Sequence, residues 1–391
     1  MRTDVLIANI ASSQRAVGQS DYIIRASNGA WYKVIIDSAN IDIYYVKSTD
    51  RGLTWSAPVG IKTGTNVCGV AVWYDGWTPG DSGTKIHVAY YEDTTDDVFY
   101  RYLDTASDTL GSEITVFAGA SATYVNASAC ISITKARGGY IFVAFDIDGG
   151  TELGFYRSTD GGGTFGARTD VNEATSDYYL LFPGNYADAN DIDCIYWDRS
   201  ANEISLKVHD DSANSWAETS IAASMVDLAS TTAAPQFAGL VRDTDGHLIL
   251  VAWSDADLLN SDLRCWDING SGSITEKTNV VQNSTDDQAV CGIAMDTDND
   301  YLYVFYLGKS DGSNTAYTSM SVNYKFSTDG GTTWSSEITL SAINRGFCTL
   351  YSNLLFSGGE FVVAYGATGA ALSLFSSAII PNKIPQYQIG I

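Results

Sequence analysis

Acidic side chains recur in this sequence where apolar runs end, and carboxylates in such positions could take part in hydrolysis. The acids that follow these runs are Asp37, Glu92, Asp93, Asp146, Asp148, Asp198, Asp255 and Asp257. Hydrolysis of a glycosidic bond needs two carboxylates that face each other across a cleft. Acids that follow strands are also ordinary turn residues, and no pair in this set stands out by its spacing.

One loop contains residues that could bind a sugar. Its sequence is V-W-Y-D-G-W-T-P-G-D, and its aromatic residues are Trp73, Tyr74 and Trp77. Exposed aromatic rings beside polar groups are a common way to hold a sugar ring. The same aromatic rings could instead pin the loop to the protein, and the sequence does not separate these two interpretations.

Metal-binding patterns are weak. Asp296, Asp298 and Asp300 form a D-x-D-x-D stretch that could bind Ca²⁺, but the downstream glycine and glutamate of a complete calcium loop do not follow. A hairpin turn explains the same residues. The six cysteines form no C-x-x-C pair, so we expect buried thiols and no zinc site. No other cofactor is predicted.

One octet motif occurs three times in the sequence, as Ser48–Trp55, Ser158–Phe165 and Ser327–Trp334. The shared pattern is S-T-D-x-G-x-T-(W/F). Each copy follows a strand-like run, which predicts a tight turn between antiparallel strands. Glycine supplies positive φ in such turns, and aspartate accepts hydrogen bonds from the backbone. The residues with a predicted structural role are Ser48, Asp50, Gly52, Trp55, Ser158, Asp160, Gly162, Phe165, Ser327, Asp329, Gly331 and Trp334.

The octet resembles the Asp-box (BNR) repeat of the sialidase superfamily. This resemblance implies a β-propeller in which the octet joins the third and fourth strands of a blade, on the face opposite the active site. Sialidases also use three arginines, a Tyr–Glu nucleophile pair and an acid/base aspartate. Arg15 and Arg345 lie near two of the arginine positions and are candidate binding residues. No third arginine is evident, so the resemblance does not include the sialidase catalytic set.

Seven apolar runs recur along the chain at intervals of roughly 52 to 59 residues, which is near the spacing of propeller blades. The pattern predicts an all-β, seven-bladed propeller of four-stranded antiparallel blades in a single domain, 1–391. The blades are expected near 19–63, 66–119, 128–173, 178–223, 235–282, 289–342 and 346–380. The N-terminal strand, 3–10, is expected to complete the last blade and close the ring, with the tail 381–391 as the competing candidate.

The composition excludes several partners. The chain of 391 residues has a formal net charge of −24, from 46 acidic and 22 basic side chains. Binding to nucleic acid or to an anionic membrane requires a basic surface and is therefore disfavoured. We see no signal peptide, and no apolar stretch long enough for a transmembrane segment.

With no assembled catalytic set, the sequence favours a non-catalytic recognition or structural propeller over an enzyme. The expected setting is a virion component (tail, fibre or capsid decoration) or an extracellular protein, with glycan or other virion or assembly proteins as partners. The alternative is a sialidase-like glycoside hydrolase that uses an acidic pair on the loop face. A further alternative is a cellular scaffold for protein assembly.

Overall fold

The computed structural model describes residues 5–10, 22–37, 41–64, 66–92, 94–120, 131–147, 152–171, 178–198, 200–225, 237–257, 260–284, 290–308, 320–345, 350–351, 354–357, 361–367 and 372–379. Within these ranges the chain is built from β-strands, with one short 3-10 helix at Asp75–Trp77. No described helix is long and apolar enough to cross a membrane.

The first strand, β1 (Val5–Ile10), stands apart from the six sheets that follow it. Each of those six is a blade made from one stretch of chain, and their strands are given next in chain order. Blade 1 contains β2 (Ile23–Arg25), β3 (Trp31–Ile36), β4 (Ile43–Ser48) and β5 (Val59–Lys62). Blade 2 contains β6 (Val67–Tyr74), β7 (Lys85–Glu92), β8 (Asp97–Asp104), β9 (Thr109–Leu110) and β10 (Ile114–Phe117). Blade 3 contains β11 (Ile131–Lys135), β12 (Ile141–Ile147), β13 (Glu152–Ser158) and β14 (Gly166–Ala167).

The next three blades follow the same order. Blade 4 contains β15 (Tyr178–Pro183), β16 (Ile192–Asp198), β17 (Glu203–Asp210) and β18 (Ser215–Ala223). Blade 5 contains β19 (Phe237–Val241), β20 (Leu248–Asp257), β21 (Asn260–Ile268), β22 (Ile274–Glu276) and β23 (Val281–Ser284). Blade 6 contains β24 (Cys291–Asp296), β25 (Tyr301–Gly308), β26 (Met320–Ser327) and β27 (Ile338–Arg345).

The remaining strands form a composite sheet from both ends of the chain. It contains β28 (Leu350–Tyr351), β30 (Phe361–Ala367), β31 (Leu372–Ile379) and β1, whereas β29 (Leu355–Phe356) leaves it to pair in parallel with β24 of blade 6. The innermost strands of successive blades contact one another, as β6 does with β11 and β15 with β19. This arrangement of antiparallel sheets around an axis is a β-propeller.

The predicted seven equivalent, four-stranded blades are therefore wrong. The described chain has six regular blades, of which blades 2, 5 and 6 have an additional strand. The composite sheet is not an equivalent blade, because its inner strand β28 has two residues and β29 is drawn into blade 6. The predicted ring closure is not supported either. In the described chain β1 pairs with β31 alone, so β1 is an outer strand added to the composite sheet.

The strand sequences explain how the blades pack. Second strands such as β3, Trp-Tyr-Lys-Val-Ile-Ile, are buried at every position because both sheet faces meet neighbouring blades. Third strands such as β4 alternate more, with half-buried side chains at Tyr44 and Lys47. Apolar side chains from the innermost strands, including Val72, Leu180 and Met295, belong to one buried cluster. β-Branched and aromatic residues suit such two-sided burial.

All three octets form the turn that follows the third strand of a blade, in blades 1, 3 and 6. In the turn of blade 3, Ser158 Oγ donates to Asp160 Oδ1 at 2.7 Å, and the Gly162 N–H donates to Ser158 Oγ at 2.8 Å. Thr164 donates to Asp160 through its N–H and through its hydroxyl. Gly162 has φ of 92°, where a side chain would be strained. The octets of blades 1 and 6 repeat these bonds.

The turns of blades 3 and 6 also contact the preceding blade. Trp334 Nε1 donates to the Thr278 carbonyl at 2.9 Å, and the Phe165 ring lies 5.1 Å from the Tyr100 ring. Hydroxyl and backbone N–H donors hold the pKa of Asp50, Asp160 and Asp329 at about 2. These aspartates are therefore ionised at neutral pH, and their oxygens are occupied by the turn.

We expect Ser158→Ala to lower the free energy of unfolding by about 1 to 3 kcal/mol, because the Gly162 N–H would remain buried without its acceptor. Ser271→Ala removes a comparable hydroxyl from an exposed turn and should change stability by less than about 0.5 kcal/mol. Urea unfolding of both variants tests this. Equal effects of the two substitutions would contradict the assigned role of the octet.

Candidate functional site

The connections between first and second strands lie at the same end of the blades as the octet turns. In blade 2, Lys85 at the start of the second strand pairs with Asp104 at the end of the third. We call this end the turn face, and the other end, where second strands run into third strands, the opposite face. Much of the opposite face lies outside the described residues.

The aromatic loop noted in the sequence, 72–81, overlaps the connection between β6 and β7, residues 75–84. This connection crosses the propeller axis on the turn face. Thr78 Oγ1 donates to the Lys135 carbonyl of blade 3 at 2.8 Å. The Gly80 N–H donates to Asp243 Oδ1 of blade 5 at 3.3 Å. At the start of the loop, Tyr74 Oη accepts the Ser27 N–H of blade 1 at 2.9 Å. We call residues 75–84 the axial loop.

The aromatic residues around this loop mostly face the interior. Trp73 and Trp77 are 1% and 2% exposed, and their rings meet edge-on at 5.7 Å. Trp77 also packs against Tyr22 at 5.3 Å. Tyr74 is 4% exposed and borders a cavity. The binding role of Trp73, Tyr74 and Trp77 stays a prediction, and the structure places the two indoles in the core.

Of the two candidate arginines, the one that the structure describes is not brought to this region. Arg345 is the last residue of β27 and pairs with Met320, which puts it at the opposite face. Arg15 lies outside the described residues. Their binding role also stays a prediction.

A buried carboxylate anchors the axial loop. Asp75 Oδ1 accepts from His87 Nε2 at 2.8 Å and from Lys135 Nζ at 2.6 Å, and Asp75 Oδ2 accepts the Lys85 N–H at 2.9 Å. Lys135 Nζ also lies 2.7 Å from Asp81 Oδ2. Lys135 therefore connects the buried Asp75 to the more exposed Asp81.

The protonation states follow from these contacts. Burial alone would raise the pKa of Asp75, but the hydrogen bonds from His87 and Lys135 together with the Lys85 N–H hold it far below its usual value. Complete burial lowers the pKa of His87, against the pull of Asp75, so its ring is neutral at pH 7. His87 Nε2–H then donates to Asp75, while Nδ1 accepts from the Tyr100 hydroxyl at 2.7 Å. Tyr100 is itself buried, so this branch supports the loop and does not face solvent.

Beside the axial loop lies an open cavity of about 320 Å³, near the lower end of the roughly 300–1,000 Å³ range of small-molecule sites. Blades 1, 2, 5 and 6 and the segment after β28 contribute to its wall. The polar side chains that line it include Arg25, Ser27, Tyr74, Asp81, Asp243 and Thr297. We call it the axial cavity.

Two carboxylates dominate the chemistry of the axial cavity. Asp81 is fixed by Lys135 and by the Gly83 N–H, which donates to Asp81 Oδ1 at 2.8 Å. Asp243 is exposed and holds the Gly80 N–H. Carboxylates accept hydrogen bonds from sugar hydroxyls, and a pair of them can supply a proton donor and a base. Sequence reasoning missed this pair because Asp81 and Asp243 come from different blades.

The acids predicted from the sequence are placed elsewhere. Asp37 accepts the Asp42 N–H, Asp198 accepts from Ser200 and Ala201, and Glu92 accepts from Thr95, all at the opposite face. Asp146 is buried near the end of β12. Asp93 and Asp148 lie outside the described residues, and Asp255 and Asp257 are described only as backbone of β20. The described bonds are those of turn residues.

Cation binding finds no support in the described part of the chain, where no group of three or more metal-binding side chains occurs. Asp296 Oδ1 accepts the Asp298 N–H at 3.1 Å, and Asp296 Oδ2 accepts from Asn299 Nδ2 at 2.9 Å. These bonds are those of a hairpin turn.

A different acid on the turn face has a shifted pKa. Asp193 of blade 4 is 5% exposed, and burial raises its pKa to about 7, although the Tyr186 hydroxyl donates to it at 2.6 Å. The pKa of Asp193 in the folded protein exceeds the ordinary value of 3.8. Between about pH 4 and pH 7 the folded protein therefore keeps the Asp193 proton, whereas the unfolded chain has lost it. The contribution of Asp193 to stability is therefore full below about pH 4 and is lost as the pH rises to about 7.

We expect Asp193→Asn, which has no ionisable group at this position, to remove the loss of stability at higher pH. Relative to the parent chain, the variant should gain about 4 kcal/mol in the free energy of unfolding at pH 8 and little at pH 4. Urea unfolding of both chains at the two pH values measures the difference, in which all other titrations cancel. A stability difference that does not change with pH would contradict the raised pKa.

Comparison with known proteins relies on structure, since no family model and no curated protein matches this sequence. A polysaccharide lyase described as an ulvan lyase is 12% identical and superposes with a TM-score of 0.54, over 95% of this chain and 97% of the lyase. The same lyase has been solved with a bound fragment of glucuronic acid and sulfated rhamnose. An intramolecular trans-sialidase from leech is 11% identical with a TM-score of 0.50, over 97% of this chain and 70% of the enzyme.

This chain shares their propeller fold. At such low identity the likeness establishes the fold alone. The similar structures are named as enzymes, a polysaccharide lyase and a trans-sialidase, so the interpretation as a non-catalytic recognition or structural protein is not supported by them. Virion partners and a virion location receive no support from these comparisons.

Proposed function

We propose that this chain is a glycan-processing enzyme, a glycoside hydrolase whose carboxylate pair is Asp81 and Asp243 in the axial cavity. The observation that carries the proposal is the meeting of these two acids at one open cavity on the propeller axis. The similarity to a lyase and a trans-sialidase supports a glycan as the substrate. The proposal keeps the hydrolase alternative and moves its acidic pair from the opposite face to the turn face. In this it departs from the sialidase resemblance, which implies an active site on the face opposite the octets.

The contacts of the two acids suggest their roles. Asp81 contacts Lys135 Nζ and the Gly83 N–H, which fix its carboxylate in a position to accept a proton from an attacking water. Asp243, on the facing connection of blade 5, donates a proton to the leaving oxygen. The water oxygen bonds to the anomeric carbon, the glycosidic C–O bond breaks, and the two acids exchange protonation states. Tyr74 and Ser27 stand beside the space that the sugar would occupy.

Three finer points remain proposals. The bonds within the octets support their assignment as Asp-box repeats. Ca²⁺ binding at Asp296, Asp298 and Asp300 would have to compete with the turn that Asp296 already holds. An extracellular location suits a protein that acts on polysaccharides.

A panel of polysaccharides tests the function with two readouts. Release of reducing ends reports any cleavage, and ultraviolet absorbance of an unsaturated uronate reports elimination. We expect reducing ends without the unsaturated product. The unsaturated product would show a lyase instead, and an absence of cleavage on the whole panel would overturn the enzyme proposal.

A further inference from the structure

The axial cavity has few cations available for an anionic ligand. Among the described residues that line it, Arg25 is the single cationic side chain. Lys135, which reaches the cavity wall through Asp81, is already shared by Asp75 and Asp81 at 2.6 and 2.7 Å. Arg242, next to Asp243 in sequence, donates through Nε to Asp245 at 2.8 Å and lies 3.6 Å from Asp267.

The net charge of the whole chain also disfavours an anionic ligand. Its 46 acidic and 22 basic side chains give a net charge of −24, which repels polyanions at low ionic strength. Proteins that bind carboxylated or sulfated chains usually present several arginines or lysines, since bidentate guanidinium contacts supply much of the affinity. The described part of the cavity wall presents one guanidinium and two carboxylates.

Resting on the proposed function, we infer that the sugar bound in the axial cavity carries no carboxylate or sulfate group. Its ligand is a neutral or amino sugar, whose hydroxyl or ammonium groups donate to Asp81 and Asp243. This sets the chain apart from the ulvan lyase, which was solved with a glucuronate and sulfated-rhamnose fragment. The same fold would then present a cavity of opposite charge preference.

Calorimetric binding of four oligosaccharide families to the unmodified chain tests the inference at low salt. The families are xylan, chitosan, ulvan and polysialic acid fragments, with cleavage followed in parallel. We expect xylan or chitosan fragments to bind at least about ten-fold more tightly than either anionic family.

The outcomes separate the inference from the function. Tighter binding of ulvan or polysialic acid fragments would overturn the inference, while their cleavage would leave the enzyme proposal intact. Binding of neutral or amino fragments without cleavage would support the inference and count against hydrolysis. Failure of all four families to bind would overturn both.

A matched pair of charge-reversing substitutions tests whether the preference for neutral or amino sugars originates in the axial cavity. Asp243→Arg changes the charge of the cavity wall, and Asp210→Arg makes the same change at an exposed turn of blade 4 that does not line the cavity. We expect Asp243→Arg to weaken xylan or chitosan binding by about ten-fold and to strengthen ulvan binding, with Asp210→Arg leaving both within about two-fold. Equal effects of the two substitutions would assign the preference to overall charge and overturn the cavity as its origin.

Discussion

Replacing Asp81 by asparagine is expected to lower the rate of glycan cleavage by roughly a hundred-fold to ten-thousand-fold, the usual range for loss of a positioned acid or base. The substitution keeps the size of the side chain and its acceptor for the Gly83 N–H, so the axial loop should stay in place. Asp243→Asn should cause a loss in the same range. Both effects are expected in kcat, since the proton transfers occur in the transition state.

Two controls make this result interpretable. Asp210→Asn alters an exposed aspartate on the same face, outside the cavity, and should keep cleavage within about two-fold of the parent. Glu92→Gln alters a buried acid at the opposite face. If Glu92→Gln abolished cleavage and the cavity variants did not, the chain would remain an enzyme but its site would lie at the other face.

Replacing Asp75 by alanine is expected to lower the free energy of unfolding by about 3 to 5 kcal/mol, because it leaves Lys135 and His87 without the buried carboxylate between them. The axial loop would also lose the acceptor for the Lys85 N–H. Urea unfolding at neutral pH measures the loss. If the alanine variant does not fold, Asp75→Asn serves instead, since it keeps the volume and removes the charge.

Asp81→Asn supplies the matched comparison for stability. It removes the more exposed partner of the same Lys135 and should reduce stability by less than about 1 kcal/mol. We thus expect the two aspartates to differ in their roles: Asp75 is important for stability, and Asp81 is important for cleavage. A large loss of stability in Asp81→Asn, or a negligible one in Asp75→Ala, would contradict the division of roles.

Local patterns in the sequence predicted much of the fold. The octet turns could be anticipated because all their polar bonds close within eight residues, as between Ser158, Asp160 and Thr164. The apolar runs likewise predicted buried second strands. The seventh run misled the count, because β30 looks like the other second strands whereas its neighbour β28 is short and β29 pairs with blade 6.

The candidate site could not be predicted in the same way. Arg25 and Tyr74 end the first strands of blades 1 and 2, and Asp81 and Asp243 lie in the connections that follow the first strands of blades 2 and 5. Only the arrangement of blades brings them to one cavity. Aromatic content drew attention to the axial loop, but the burial of Trp73 and Trp77 follows from packing against other blades. Asp75, the buried partner of Lys135, could not be distinguished in the sequence from the other aspartates.

The most direct test of the central claim is a crystal structure of the Asp81→Asn variant with an oligosaccharide that the parent chain cleaves. We predict a sugar ring in the axial cavity, with its scissile oxygen facing Asp243 and its ring beside Tyr74. Sugar density at the opposite face, with the axial cavity empty, would contradict the account.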